Sequence, residues 1–285
     1  MIALVRRSLR FLADHPRVRR TLQAVRTDIQ RGEWHHHMQD AWVIERMAAD
    51  VSAALAGALG PRLAPDRLQV QRDVIEFAQL IQRCPVEQGT GGCGFNGGLM
   101  LFLIARRLQP KVVIESGVFR GYTTWVLRQA LPDAALFCFE PRPDQIRHRD
   151  PQAVYSEHDW SRFDFSGVDL SGCLAFFDDH VDQVRRAEEC AQRGVGHALF
   201  DDSFPVQCQY LDASPAFPTA AMLLEAENLQ DGPVRWVSGG KRSEFVLDVA
   251  RLKRARELVR EGFLLPDLHA QTGYKPVHAV LLSLK

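Results

Sequence analysis

The feature that most constrains this chain is a set of four short apolar runs, each ending in an acidic residue: Val112 to Glu115, Leu136 to Glu140, Leu174 to Asp178 and His197 to Asp201. Runs this short and this apolar suit strands buried on both faces. Stretches with helical spacing separate most of them, Thr123 to Ala130 and Val181 to Arg193 among them. Alternation of this kind predicts a parallel sheet covered on both faces by helices. A third strand is expected over Ala153 to Glu157 and a terminal one over Val277 to Leu284. In such a sheet ligands bind beyond the carboxyl ends of the strands, so the terminal acids line one candidate rim. Asp and Glu are also common helix caps, which is the competing reading for any single one.

The run ending at Glu115 passes into Ser116, Gly117, Val118, Phe119, Arg120 and Gly121 before Tyr122-Thr123-Thr124 opens a helix. Two glycines allow a tight turn and close approach of a ligand to the backbone. Glu140, ending the next strand, stands where an acid commonly grips ribose hydroxyls. Glu-x-Gly-x-x-x-Gly with a second-strand acid resembles the class I S-adenosylmethionine (SAM) methyltransferases; the Gly-x-Gly-x-x-Gly spacing of nicotinamide-binding domains is absent.

The resemblance covers about residues 111–285 and implies an α/β fold: a Rossmann-like, doubly wound, mostly parallel sheet. It implies that Glu115, Gly117 and Gly121 line the methionine part of SAM and that Glu140 meets the ribose. Asp159 is the candidate for the adenine amine, with Trp160 stacking on a ring; the alternative is that Asp159 caps a turn and Trp160 packs in the core.

In that fold the strands ending at Asp178-Asp179-His180 and Asp201-Asp202 are neighbours, so their carboxylates converge. Such crowding calls for a hard cation such as Mg²⁺. The pattern is similar to metal-dependent small-molecule O-methyltransferases and the cephalosporin-hydroxylase-like group. Carried over, Asp201 and Asp202 match the metal-binding pair and Asp178 or Asp179 the single ligand. The catalytic lysine of the catechol type would fall near Asp182 and is missing. His180 is the expected substitute base, beside Asp179, because imidazole can take a hydroxyl proton near neutral pH; the alternative is a histidine that caps a turn or only supports the site. The Asn/Asp-Pro-Pro-Tyr loop of nucleic-acid amino-methyltransferases is also missing, and the formal net charge is zero, so no nucleic-acid partner is expected.

Before about residue 88 the chain reads as a helical appendage, with helices expected over Trp42 to Leu59 and Asp73 to Arg83. It is expected to act as a lid, pocket wall or oligomer contact, with a Rossmann-like SAM-binding domain over 89–285. Between Met1 and Trp34 eight arginines face Asp14, Asp28 and Glu33. That basic amphipathic segment reads either as a helix docked on the core or on a second copy, or as a peripheral contact with an anionic membrane. His35, His36 and His37 read as surface residues, since consecutive side chains on a helix do not converge. The glycine-rich stretch Gly89 to Gly98 is not a phosphate loop, because no Gly-Lys-Ser/Thr ends it. It leads to a helix expected over Leu99 to Leu108 with Asn96 near its N-cap. The six cysteines form no C-x-x-C pair and read as reduced thiols, and with no span of about 20 apolar residues the expectation is a cytoplasmic protein. The function these features predict is a Mg²⁺-assisted, SAM-dependent O-methyltransferase of a small hydroxylated molecule such as a sugar, polyketide or phenol. The alternatives are a protein of this fold that serves as a binding or assembly module, and a related metal-dependent enzyme.

Overall fold

The computed structural model describes residues 40–58, 66–86, 92–211, 216–238 and 240–285. The basic segment, the His35–His37 run and residues 89–91 of the glycine-rich stretch lie outside them. Helices α1 (Ala41–Ala58), α2 (Arg67–Leu80) and α3 (Gly94–Leu108) precede the first strand. Then follow β1 (Val112–Ser116), α4 (Tyr122–Ala130), β2 (Ala135–Phe139), β3 (Val154–Ser156), β4 (Leu174–Phe177), α5 (Gln183–Gln192) and β5 (His197–Phe200). The remaining elements are α6 (Ala220–Leu224), β6 (Gly232–Ser238), β7 (Lys241–Leu247), α7 (Val249–Arg256), β8 (Val259–Leu264), α8 (His269–Thr272) and β9 (Val280–Leu284).

Seven strands form one sheet in the order β3-β2-β1-β4-β5-β9-β8. The pairs from β3 through β5 are parallel, and β9 runs antiparallel to both β5 and β8. Alternation of side chains across the pleat feeds two separate cores. Val113, Leu136, Leu174, Phe176 and Leu199 face the layer of α1 to α4, and Ile114, Ala175, Phe177 and Phe200 face α5, α6 and α7. The expected doubly wound sheet is therefore present. Helices α1 and α2 contribute Val51, Leu55, Val74 and Phe77 to the same core as the sheet.

Two differences from the sequence expectations have local causes. Helix α3 begins at Gly94, so Asn96 lies inside its first turn rather than at the cap. Its buried amide instead donates to the carbonyls of Tyr274 and Lys275, at 3.2 and 2.9 Å, and its oxygen accepts from Thr272. The β6–β7 hairpin and β8 were not foreseen, because exposed Arg235, Arg242 and Glu244 in the hairpin and exposed Arg260 in β8 break the apolar run that marks a buried strand. All six cysteines are free; burial pushes Cys84 up to about 11 and Cys173 up to about 12. No helix among the described residues is long and apolar enough to cross a membrane.

Candidate cofactor and cation site

The chain order reverses between β1 and β4, and at such a switch point the loops part to leave a crevice. A cavity of about 390 Å³ opens there. The loops following β1 to β4 line it, with Gly117 and Phe119, Glu140 and Arg142, His158 and Asp159, and Asp178 to Val181; Arg186 reaches in from α5.

Each carboxylate of the rim has its own fate. Glu140 accepts from the backbone N–H of Phe119 at 2.7 Å and of Arg142 at 2.9 Å, one on each oxygen. A carboxylate has about four acceptor positions, so lone pairs remain for a ligand's hydroxyls. Gly117 sits at φ +95°, and a Cβ there would lie 2.3 Å from the Asp178 carbonyl oxygen. Only glycine allows the β1 and β4 loops to close that tightly. Gly121, at φ +88°, does not line the cavity; a Cβ there would meet the His148 carbonyl at 2.1 Å, so it serves packing.

Glu115 departs from its expected place on the cofactor wall. It is 1% exposed, and its oxygens accept from the hydroxyls of Thr123 and Thr124 and from the Cys138 thiol, the Thr124 contact being 2.5 Å. Burial raises its pKa against these hydrogen bonds. It braces the first turn of α4 beneath the glycine loop. Trp160 is also displaced from expectation: wholly buried, it packs against Phe165 and Phe177 with its rings 6.4 and 5.6 Å away, so it cannot stack on a ligand. Asp159 lines the cavity, but its side chain caps the turn at Ser161, 2.9 Å, and holds both Nη atoms of Arg186 at 3.0 and 2.8 Å. Burial pushes Asp159 up, and the Arg186 and Ser161 hydrogen bonds outweigh it, holding the carboxyl well below the usual range.

At the β4 end the adjacent acids part company. Asp179 accepts from Ser116 Oγ at 2.7 Å, from Arg186 Nε at 2.9 Å and from the Val181 amide at 3.1 Å, so three donors already engage it. Asp178 instead stands with His180 and Asp202, each offering one atom within 4.8 Å of the others. Burial first, and then Asp201, Asp202 and Asp179, push the Asp178 carboxyl well above the ordinary range. Asp201 is buried and lies outside that cluster, so the structure groups Asp202, but not the expected Asp201, with Asp178 and His180. His180 and Asp202 both have left-handed backbones, φ 53° and 49°, as does Phe119 at 49°. Three such non-glycine residues on neighbouring loops mark strained turns of the kind that cluster at functional sites. Arg186 and Ser116 had no signal in the sequence, because a buried arginine on an amphipathic helix looks like a solvated one.

The strand order, with a glycine turn after β1 and an acid after β2 at the rim, defines a Rossmann-like, doubly wound sheet whose last two strands run antiparallel. No protein-family model and no curated protein matches the chain. Among solved structures, a putative O-methyltransferase from Klebsiella pneumoniae superposes at TM-score 0.44 and 14% identity, over 93% of this chain and 99% of that one. The O-methyltransferase TomG from Streptomyces achromogenes gives 0.37 and 16%, over 88% and 93%. An apo structure of CmcI gives 0.33 and 12%, over 41% of this chain and 55% of that one, so this chain spans little more than half the length of CmcI.

Proposed function

We propose that this protein is a SAM-dependent O-methyltransferase of a small hydroxylated molecule, assisted by a divalent cation. The supporting observation is one crevice at the switch point that joins a nucleoside-sized cavity, with Glu140 in its wall, to Asp178, His180 and Asp202. Its volume lies within the roughly 300–1,000 Å³ usual for small-molecule sites. Ligand atoms on one magnesium ion stand about 2.9 Å apart when adjacent and about 4.1 Å when opposite, so three atoms within 4.8 Å of one another would draw together to share it.

Glu140 would hold the ribose hydroxyls, and the backbone at Gly117 would line the cofactor chain. Asp178 and Asp202 would hold the cation. His180, exposed at the open side, would take the acceptor hydroxyl's proton on a ring nitrogen. When bound, SAM supplies an activated methyl group and the cation supplies positive charge beside the acceptor oxygen. The remaining work of the chain is alignment and exclusion of water. Asp182, where the catechol type carries its lysine, caps α5 and pairs with Arg251 at 2.7 Å, so it offers no base.

Calorimetry with S-adenosylhomocysteine (SAH), with and without MgCl₂, tests this reading. SAH should bind, and magnesium alone should raise the melting temperature, because a ligand that binds only the folded state stabilises it by mass action. Absence of heat with SAH would remove the methyltransferase reading altogether. Binding of SAH with identical melting curves in MgCl₂ and chelator would remove only the cation.

A further inference from the structure

Arg186 has no part in the reading above, yet it is 2% exposed and its head group touches three carboxylates. Nη1 and Nη2 donate to the two oxygens of Asp159 at 3.0 and 2.8 Å, and Nη1 also donates to Glu189 at 2.7 Å. Nε donates to Asp179 at 2.9 Å, and Nη2 lies 2.8 Å from the same oxygen. Every nitrogen of the fork is therefore engaged. The partners belong to different parts of the crevice: Asp159 follows β3 on the nucleoside side, whereas Asp179 follows β4 and reaches Ser116 at the end of β1. Only a planar, multidentate cation can bridge both walls at once, which an ammonium point charge cannot do.

We infer that Arg186 is the positioning residue of this site: it sorts the acids of the rim, withdrawing Asp159 and Asp179 from ligand duty and leaving Glu140 for the nucleoside and Asp178 with Asp202 for the cation. This inference rests on the cofactor and cation reading proposed above. Its physical content is a charge balance. Asp178 and Asp179 are consecutive, and Asp178 stands with Asp202 and His180, each offering one atom within 4.8 Å of the others. The guanidinium offsets Asp179 and holds its carboxylate toward α5, so the cation meets the two carboxylates of Asp178 and Asp202 rather than three. Removal of Arg186 takes away a positive charge near the cation and frees a further acid. Cation binding should then tighten even as the nucleoside wall loosens. A merely structural brace would give the opposite sign for the cation.

Calorimetric titration of wild type, Asp179→Asn, Arg186→Met and the double variant with MnCl₂ and with SAH separates these cases. Asp179→Asn should leave manganese affinity within about threefold of wild type, since that carboxylate is already occupied. Arg186→Met should bind manganese at least about threefold tighter and SAH at least about tenfold weaker. The double variant should bring manganese affinity back to within about threefold of wild type, because the freed acid is gone. Arg186→Met that binds manganese no better than wild type overturns the inference. So does a tenfold loss in Asp179→Asn, which would make Asp179 a ligand; that variant decides the matter even if Arg186→Met fails to fold. Wild-type protein that binds SAH but no manganese overturns the cation reading and this inference with it. Wild-type binding of both probes with unaltered variants overturns this inference alone.

Discussion

The two halves of the sheet's carboxyl edge handle acidity in opposite ways. At or beyond the ends of β1, β2 and β3, Glu115, Glu140 and Asp159 receive hydrogen bonds from hydroxyls, backbone amides or a guanidinium. Beyond β4 and β5, Asp178 is crowded by Asp201, Asp202 and Asp179, and its carboxyl is pushed upward. In the first half every acid has donors beside it, and Glu140 keeps acceptor positions in the cavity wall. The second stores repulsion that a cation would relieve. The boundary runs between two consecutive residues, since Asp179 is paired with Arg186 and Asp178 is not.

The sharpest way to break this contrast is at its most satisfied acid. Glu115→Ala strands the hydroxyls of Thr123 and Thr124 and leaves a void beneath the glycine loop, and should cost about 3 kcal/mol. Thermal denaturation should then show a melting temperature lower by about 6–12 °C. A loss under 1 °C would mean that Glu115 does not brace α4.

Next in size is Glu140→Ala, which removes the acceptor in the cavity wall and should weaken SAH binding at least tenfold. A charge-assisted hydrogen bond is worth about 1.5–3 kcal/mol, and tenfold corresponds to about 1.4. Unchanged affinity by calorimetry would take Glu140 out of the site.

The smallest effect lies on the crowded side and has a definite sign with pH. A carboxyl whose pKa is higher in the fold than in the unfolded chain binds its proton more tightly when folded. Its contribution to stability is therefore present in acid and lost as pH rises through the raised value. Without divalent cations, the protein should lose stability as pH climbs above the ordinary aspartate range toward the raised Asp178 value. Asp178→Asn should flatten that decline and raise the melting temperature near neutrality by about 2–4 °C, the shift that about 1 kcal/mol produces in a chain of this size. The same variant should abolish any rise caused by magnesium. A pH profile identical to wild type would show that Asp178 is not crowded.

What the sequence by itself determined is the frame. Apolar runs ending in acids, with helical spacing between them, identified five strands of the parallel-type core and the last strand, because burial on both faces leaves a continuous hydrophobic signature. Gly117 and Glu140 were legible for the same kind of reason: a tight turn demands glycine, and the end of a strand fixes where an acid must stand. Tertiary structure decided what each acid does. Glu115 faces inward onto two threonines, Trp160 fills the core, and Asp179 turns to Arg186 while Asp178 joins His180 and Asp202. An acid's role depends on which donors lie within about 3 Å of its oxygens, and those donors come from residues as distant in sequence as Ser116 is from Asp179. The pattern along the chain fixes where a strand ends; only packing determines which way its last side chain points.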